Sequence, residues 1–291
     1  MINIGEERLV NNNTSMKILM CGNENVFRGV LLTVLSVIEY TDRPIELYIG
    51  TMDLTDVDER YRPITEDMTE LLRSVIKEKN PISEVHLIDF GESFGRELIH
   101  SKNLTSSYTP YAMIRLFADE LYPSVGDKLL YFDTDVMARG NIEELYDTDL
   151  GDYHLAGVRD YFGKIFFGPR YLNSGVFLFN MKAMVDDGVF KKCRVLCNDK
   201  KMLLFDQHAL NKYAKRKLIL NRRYNEQRKT SDKTLIRHFA MTIRWLPYFR
   251  TENIKPWDRE LVRGKLKDYS YEEIYKKYDR IKEAADEKAT M

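Results

Sequence analysis

The sequence has little of several features that mark specialised classes of protein. It contains three cysteines in 291 residues, Cys21, Cys193 and Cys197, and this small, odd number argues against a disulfide framework and favours a reducing compartment. Lys plus Arg and Asp plus Glu balance at 45 each, so no net charge attracts nucleic acid. No apolar run approaches the ~18 residues of a membrane span, and the polar N-terminus lacks the apolar core of a signal peptide. We therefore expect a soluble, cytoplasmic protein.

Short apolar runs alternate with segments of helical periodicity in the first half of the chain. This alternation predicts an α/β fold with a mostly parallel, mixed sheet. Such sheets bind ligands at the carboxyl ends of their strands, where the strand order reverses. The strand ends of most interest are therefore "CGNEN" (21–25) and "DTD" (133–135). The predicted strands are "KILMCG" (17–22), "PIELYIG" (44–50), "EVHLIDF" (84–90) and "KLLYFD" (128–133).

After residue 150 the alternation is less regular. Within a helix predicted at 182–199, Cys193 and Cys197 share a face. With no Cys/His pair nearby, we interpret them as core residues rather than zinc ligands. We divide the chain into a flexible N-terminal lead (1–15), one domain (16–262) and a charged C-terminal helix (263–291). The helix could pack on the domain, form a homodimer contact or touch a membrane surface, and the sequence leaves these open.

The tripeptide Asp-Thr-Asp occurs twice, and the first copy follows a buried strand. Asp133 would end that strand and Asp135 would lie just past it. Residues two apart point to one face of a strand, so the two carboxylates repel each other unless a cation joins them. Mg²⁺ or Mn²⁺ suits such a pair, because these hard cations bind carboxylate oxygens and substrate phosphates. We predict a metal site at the first copy.

The second copy, Asp147 to Asp149, follows "NIEELY". Asn141 can cap a short helix there, with Glu144 at the capping-box position. Asp147 and Asp149 would then lie in a solvated turn, where aspartate is common. We interpret the second copy as structural.

The blocks around the first copy resemble one family of enzymes. In their order they resemble glycosyltransferase family 8, which includes glycogenin and the bacterial lipopolysaccharide galactosyl- and glucosyltransferases. The resemblance implies a single Rossmann-like GT-A domain and retaining transfer of glucose or galactose from a UDP-sugar. The acceptor that it implies is a hydroxyl of a glycan or lipid-linked saccharide. The blocks are "YAMIRLFADELYPSVGDKLLYFDTDVMARGNIEELYDTDLGDYHLAGVRD" (111–160), "YLNSGVFLFNMKAM" (171–184), "FDQHALN" (205–211) and "RHF" (237–239).

The resemblance also implies a ligand set for the metal. Asp133 and Asp135 match the family's Asp-x-Asp, His238 matches its later metal-binding histidine, and Thr134 lies at the donor. Taken alone, His238 would be a satisfied core histidine on a strand. The imidazole favours Mn²⁺ somewhat over Mg²⁺.

Further matches concern the donor sugar. Arg115 resembles the family's helix arginine, which contacts the donor sugar or its phosphates, and a planar donor fork suits that task. Asn173, Asp206 and Gln207 resemble residues that line the sugar pocket, as does Asp160. The resemblance implies catalytic roles for Arg115, Asp206 and Gln207, although Arg115 could be a helix-surface residue and Asp206 a helix N-cap.

The end of the first strand departs from the family pattern. Relatives often have acidic residues and a tyrosine there, which contact uracil. This sequence has Cys21, Asn23 and Asn25, with Val26 in place of the tyrosine. We expect Asn23 and Asn25 to hydrogen-bond the base or ribose, with Cys21 beside them.

The segment after the metal histidine departs as well. Relatives have Gly and then Lys-Pro-Trp, which grips the diphosphate. Here Arg244-Trp245 takes the ungapped place, and Lys255-Pro256-Trp257 follows eleven residues later. Arg244 or Lys255 would hold the phosphates, and the choice stays open.

Two mechanisms and two rival functions remain to be weighed. Retention requires a covalent intermediate, for which Asp206 is the one candidate, or front-face attack within an ion pair, which we favour. A non-catalytic nucleotide-sugar or glycan binder on a degenerate scaffold is the alternative function. A nucleotidyltransferase would need a basic, Gly-rich loop after the first strand, and "CGNENVF" has nothing of that kind before Arg28.

Overall fold

A seven-stranded mixed sheet lies at the centre of the described chain. The structure is a computed structural model that describes residues 14–104, 109–244 and 250–290. Its strands are β1 (Met16–Cys21), β2 (Ile45–Thr51), β3 (Glu84–Asp89), β4 (Lys128–Phe132), β5 (Val136–Ala138), β6 (Leu155–Arg159), β7 (Leu172–Asn180), β8 (Lys217–Ile219), β9 (Ile236–His238), β10 (Thr242–Arg244) and β11 (Arg250–Glu252).

The order of strands in this sheet is β3-β2-β1-β4-β7-β6-β8. The pairs of β7 with β4 and with β6 are antiparallel, and the remaining pairs are parallel. The predicted α/β fold with a mostly parallel, mixed sheet is therefore confirmed. The order reverses between β1 and β4, where Met20 lies opposite Phe132, so the two strand ends singled out by the sequence are neighbours.

Helices cover both faces of the sheet. They are α1 (Phe27–Ile38), α2 (Glu66–Lys79), α3 (Gly91–Glu97), α4 (Glu143–Tyr146), α5 (Gly163–Phe166), α6 (Met181–Asp186), α7 (Val189–Asp199), α8 (Phe205–Tyr213), α9 (Arg259–Gly264) and α10 (Glu272–Thr290), with 3-10 helices at Glu24–Val26, Pro110–Leu121 and Arg222–Tyr224. Apolar residues of α1, α2 and α10 form the core on one face. Those of α7, α8 and the Pro110–Leu121 helix form the core on the other, where Cys193 and Cys197 are fully buried, as predicted.

Helix ends follow local chemistry where the sequence carries a clear signal. The hydroxyl of Thr65 accepts a hydrogen bond from the backbone N–H of Met68 at 3.3 Å, so Thr65 is the N-cap of α2. Before α4, Oδ1 of Asn141 accepts a hydrogen bond from the backbone N–H of Glu143 at 2.7 Å, but Glu144 pairs with Arg223 and does not complete the predicted capping box. The helix predicted at 182–199 is two helices, since Gly188 takes a left-handed φ of 60° and breaks it.

The second Asp-Thr-Asp copy has the structural role that the sequence predicted. Both carboxylate oxygens of Asp147 accept hydrogen bonds from Arg43, at 2.8 and 3.0 Å. Asp149 accepts a hydrogen bond from the backbone N–H of Gly151 at 2.9 Å and so closes a turn.

The C-terminal helix packs on the domain. Tyr271, Ile274 and Tyr275 are buried in the core that contains α1, and Arg259 pairs with Asp279 of α10. None of the described helices has both the length and the hydropathy needed to cross a membrane. Of the predicted lead, only residues 14 and 15 are described, and the division into lead, domain and tail stays a prediction.

Candidate active site

Asp133 and Asp135 lie at the carboxyl end of β4, next to the end of β1. The backbone N–H of Asp133 donates to the carbonyl of Gly175 at 2.9 Å and extends the β4–β7 pairing by one residue. Past Asp135 the chain forms β5, which pairs antiparallel with β9, so Val136 lies opposite His238. This short ladder brings the distant histidine to the two carboxylates.

The three predicted metal ligands converge. Nε2 of His238 lies 3.2 Å from Oδ1 of Asp135 and 3.8 Å from Oδ2 of Asp133. One ligand atom from each residue falls within 4.8 Å of the others. Two carboxylates and an imidazole form a donor set that suits Mn²⁺, and the spacing of their atoms fits a shared divalent cation.

The tautomer of His238 is determined by Asn173. Oδ1 of Asn173 accepts hydrogen bonds from the backbone N–H of Gly175 at 3.0 Å and from Nδ2 of Asn225 at 2.9 Å. Because this atom is an acceptor, Nδ1 of His238, 2.9 Å away, must be the donor. A neutral His238 therefore carries its lone pair on Nε2, the atom that faces the carboxylates, as a metal ligand requires.

Lys255 places a positive charge beside Asp135. Its Nζ donates to Oδ2 of Asp135 at 2.5 Å, and the carbonyl of Phe239 lies 3.5 Å away. Burial alone would raise the pKa of Asp135, but Lys255 and His238 outweigh this effect and hold that pKa well below its ordinary value. Asp135 is thus a carboxylate at neutral pH, ready to bind a cation.

Arg115 holds the carboxylate of Asp133. It is almost fully buried in the Pro110–Leu121 helix, and its Nη2 donates to Oδ1 of Asp133 at 2.7 Å. Its guanidinium also donates to the carbonyl of Ser174 and lies 4.2 Å from the ring centre of Tyr131. Burial disfavours the charge, but Asp133 and Tyr131, with Asp206, more than compensate and raise the pKa of Arg115. The alternative of a helix-surface arginine is excluded.

Asp160, Asn173 and Gln207 form a hydrogen-bonded cluster, and Asp206, next to Gln207 in α8, contacts Arg115 beside the carboxylates. Nδ2 of Asn173 donates to Oδ2 of Asp160 at 2.9 Å, and Nε2 of Gln207 lies 3.4 Å from the same oxygen. Oδ2 of Asp206 is buried 3.3 Å from Nε of Arg115 but accepts no hydrogen bond within the described residues. Burial raises the pKa of Asp206 despite Arg115. The structure therefore gathers all four predicted pocket residues.

The residues predicted to contact the base lie at the same edge of the sheet. Asn23 is buried, Asn25 is exposed, and the side-chain amides of both donate to the carbonyl of Arg60, at 3.4 and 2.7 Å. Each of these amides thus uses one of its two N–H donors within the protein. Cys21 is buried at the end of β1, and burial raises the pKa of its thiol to about 12, so it is a neutral packing residue.

The late Lys-Pro-Trp segment is held against the loop of the first Asp-Thr-Asp copy. A Cβ atom on Gly29 would lie 2.2 Å from the carbonyl oxygen of Thr134 and 2.4 Å from the ring of Trp257, so only glycine allows this three-way contact. The contact positions Lys255, whose Nζ reaches Asp135, while the choice between Arg244 and Lys255 for the diphosphate stays a prediction. The side chain of Arg244 lies outside the described residues.

Three residues of the site were not foreseen. The hydroxyl of Tyr131 donates to Oδ1 of Asp133 at 2.8 Å, and its position two residues earlier on the same strand face was an available signal. The position of Gly175 has no room for a side chain, because a Cβ there would lie 2.2 Å from Cε1 of His238. Asn225 enters from a loop, and nothing in its local sequence indicates a role.

Known proteins resemble this chain over most or part of its length. The family model described as Glycosyl transferase family 8 matches residues 17–260. Glycosyltransferase GlyA of Streptococcus pneumoniae serotype 4 is 31% identical over 129 residues, which are 41% of this chain and 18% of GlyA. Glycosyltransferase GlyF of the same organism is 25% identical over 214 residues, 72% of this chain and 48% of GlyF. The matches thus cover less than half of either relative.

Solved structures show the same fold. The galactosyltransferase LgtC, in complex with donor and acceptor sugar analogs, has a TM-score of 0.66 at 20% identity, covering 91% of this chain and 96% of its own. The glycosyltransferase GlyE of Streptococcus pneumoniae has a TM-score of 0.62 at 19% identity, covering 92% of this chain and 64% of its own. The architecture is therefore the GT-A fold. With a family match over residues 17–260, the chain belongs to glycosyl transferase family 8.

Proposed function

We propose that this protein transfers a hexose from a UDP-sugar to a hydroxyl of a glycan acceptor, with retention of anomeric configuration. The observation that carries the proposal is the convergence of Asp133, Asp135 and Nε2 of His238 where the strand order reverses. Arg115 and Lys255 each pair with one of these carboxylates, and a divalent cation between the carboxylates and the imidazole would offset their repulsion further. Such a cation would also bind the diphosphate of a nucleotide-sugar.

Asp133, Asp135 and His238 would hold the metal, with Mn²⁺ as our first choice. When bound, a divalent cation neutralises the diphosphate and stabilises the charge that develops on it as the anomeric bond breaks. Lys255 would add a second positive charge to the same phosphates. Its ammonium is a compact charge on a flexible stem, so it can move from Asp135 to a diphosphate a short distance away.

The polar pocket of Asp160, Asn173, Asp206 and Gln207 would bind the hydroxyl groups of the sugar. Carboxylate and amide groups at fixed positions distinguish hydroxyls that differ in orientation, because a mismatched pocket leaves buried polar groups unpaired. Galactose and glucose are the two candidate sugars. The structural similarity to the galactosyltransferase LgtC supports testing galactose first.

Front-face attack is the mechanism that we propose for retention. Oε1 of Gln207 already accepts hydrogen bonds from the backbone N–H and hydroxyl of Ser174, at 2.9 and 3.1 Å, so Gln207 serves as an anchor of the pocket rather than a nucleophile. Asp206 is held beside Arg115. The leaving phosphate would then take the proton from the acceptor hydroxyl. A hexosyl adduct on Asp206, found by mass spectrometry after rapid quenching, would replace this mechanism with double displacement.

The decisive measurement is UDP release from UDP-galactose and UDP-glucose with Mn²⁺, with the product anomer read by NMR. Asp135→Ala should abolish metal-dependent turnover, because it removes one metal ligand and the carboxylate that Nζ of Lys255 contacts. Asp149→Ala is the matched control, since Asp149 closes a turn in the second copy of the same tripeptide. It should retain nearly all activity.

Two outcomes would count against the proposal. Equal losses from Asp135→Ala and Asp149→Ala would mean that the first copy has no special role. Binding of UDP-sugars without release of UDP, across acceptors, would instead favour a non-catalytic nucleotide-sugar or glycan binder.

A further inference from the structure

An open cleft of about 440 Å³ lies beside α8 and the edge strand β8. One wall is the segment between α5 and β7, and the other is formed by α8 and by Lys217 at the start of β8. The carbonyl of Tyr171, one of its lining residues, accepts a hydrogen bond from the backbone N–H of Asp160 at 3.0 Å. The cleft thus adjoins the proposed sugar pocket but has a lining of its own, which includes neither the predicted metal ligands nor Asp206 and Gln207.

The charge of this cleft is of one sign. Arg170, Lys212 and Lys217 line it, and none of its lining residues in the described chain is acidic. In a protein with equal numbers of acidic and basic residues, this local excess needs an explanation. Arg170 spends one Nη2 donor on the carbonyl of Lys217 at 2.9 Å, and its fork has further N–H groups to offer.

Lys217 is the buried member of this group. Only 9% of its surface is exposed, and its Nζ donates to the carbonyl and Oδ1 of Asn211, at 3.0 and 3.1 Å. An ammonium has three donors, so one remains for a ligand in the cleft. Neutral acceptors alone satisfy it within the described residues, and a buried lysine is ordinarily paired with an acid.

The ionisation of the cleft agrees with its charge of one sign. Burial, together with the neighbouring Arg170 and Lys215, lowers the pKa of Lys217 to about 8. Burial and Lys212 also lower the pKa of His208. An anion in the cleft would reverse these effects, because an opposite charge favours the protonated form of each group.

The remaining lining is aromatic. Phe167, Tyr171 and His208 pack together, with ring centres 4.8 Å apart for Phe167 and Tyr171 and 5.5 Å apart for Phe167 and His208. Phe167 is 53% exposed, which leaves one face of its ring open to the cleft. Flat apolar ring faces accept the C–H face of a sugar ring, while the polar groups around them fix its orientation.

We propose that this cleft binds an acidic sugar, a saccharide unit that carries a phosphate or carboxylate group. The anionic group would lie between Arg170, Lys212 and Lys217, and the sugar ring on Phe167. The inference goes beyond the proposed transfer reaction and requires neither donor nor metal, so either can fail without the other.

The test is calorimetric titration of the full chain without Mn²⁺ or donor. The probes are glucose 6-phosphate, glucuronate, inorganic phosphate and glucose. The two acidic sugars should bind at least ten times more tightly than phosphate or glucose alone. Their affinity should persist in saturating UDP with Mn²⁺, since the residues proposed to hold UDP and the metal do not line the cleft.

Variants locate the site. Lys217→Met keeps the aliphatic stem and should weaken glucose 6-phosphate binding at least tenfold. Arg170→Gln, at an exposed position, should do likewise if Lys217→Met fails to fold. Lys77→Met is the control, because it removes the same charge from an exposed position of α2 outside the lining, and it should change affinity less than twofold. Absence of binding, equal binding of inorganic phosphate, competition by UDP, or unchanged affinity in Arg170→Gln would overturn the proposal.

Discussion

At the scale of single residues, Gly175 shows how the site depends on space as much as on charge. A Cβ atom there would lie 2.2 to 2.8 Å from three atoms of the His238 ring. Gly175→Ala should therefore displace the imidazole and lower Mn²⁺ affinity at least tenfold, as measured by calorimetry. Gly95→Ala, in helix α3 with nothing within 4 Å of the added methyl group, should leave Mn²⁺ affinity unchanged. Unaltered Mn²⁺ binding by Gly175→Ala would show that His238 is not a ligand.

Residue patterns predicted the acids of the site better than the groups that hold them. Asp133 and Asp135 follow a buried strand, so their position at a strand end could be read from the sequence. The roles of Asn173 and Asn225 in fixing the tautomer of His238 could not, because they depend on which oxygen meets which ring nitrogen. Such contacts arise between segments far apart in the chain, and no local periodicity records them.

At the scale of elements, the segment after β11 places Lys255 beside Asp135, at the predicted metal site. Nζ of Lys255 is 2.5 Å from Oδ2 of Asp135 and offsets the charge of the buried acids. Lys255→Met should lower the free energy of unfolding without metal by roughly 2 kcal/mol, below the range for fully buried pairs because 24% of the Lys255 side chain is exposed. Mn²⁺ should then raise the Tm of Lys255→Met more than that of the natural protein, while UDP affinity falls.

Lys77→Met is the control for this prediction, since Lys77 is exposed on α2 and remote in sequence from the metal ligands. It should change neither Tm nor the response to Mn²⁺. If Lys255→Met gained no more from Mn²⁺ than the natural protein does, the lysine and the metal would not share Asp135.

Regular elements were predictable, but the short pairings between them were not. The apolar runs of β1 to β4 marked their own positions. In contrast, β5 and β9 are three residues each, too short for a pattern, and their register alone brings His238 opposite Val136. The break at Gly188 was also missed, because a glycine within a helical pattern is often tolerated.

At the scale of the whole molecule, the C-terminal helix links stability to the active site. Tyr275 is buried against α1, and its hydroxyl donates to the carbonyl of Pro256 at 2.7 Å, one residue after Lys255. The sequence showed tyrosines at helical spacing but left open packing, a dimer contact or a membrane surface. Burial of Tyr271 and Tyr275 settles the first, since these rings fill the core on that face.

Loss of this anchor should affect both folding and the site. Tyr275→Ala should lower the free energy of unfolding by about 3–5 kcal/mol, the usual cost of removing a buried aromatic ring, and should weaken UDP binding because the segment of Lys255 loses its support. Tyr269→Ala, at a position 63% exposed, should change stability by less than about 0.5 kcal/mol. Urea denaturation and UDP titration measure the two effects. Equal stability losses from both variants would mean that the helix is not packed as described, and a destabilised Tyr275→Ala with unchanged UDP affinity would separate the tail from the site.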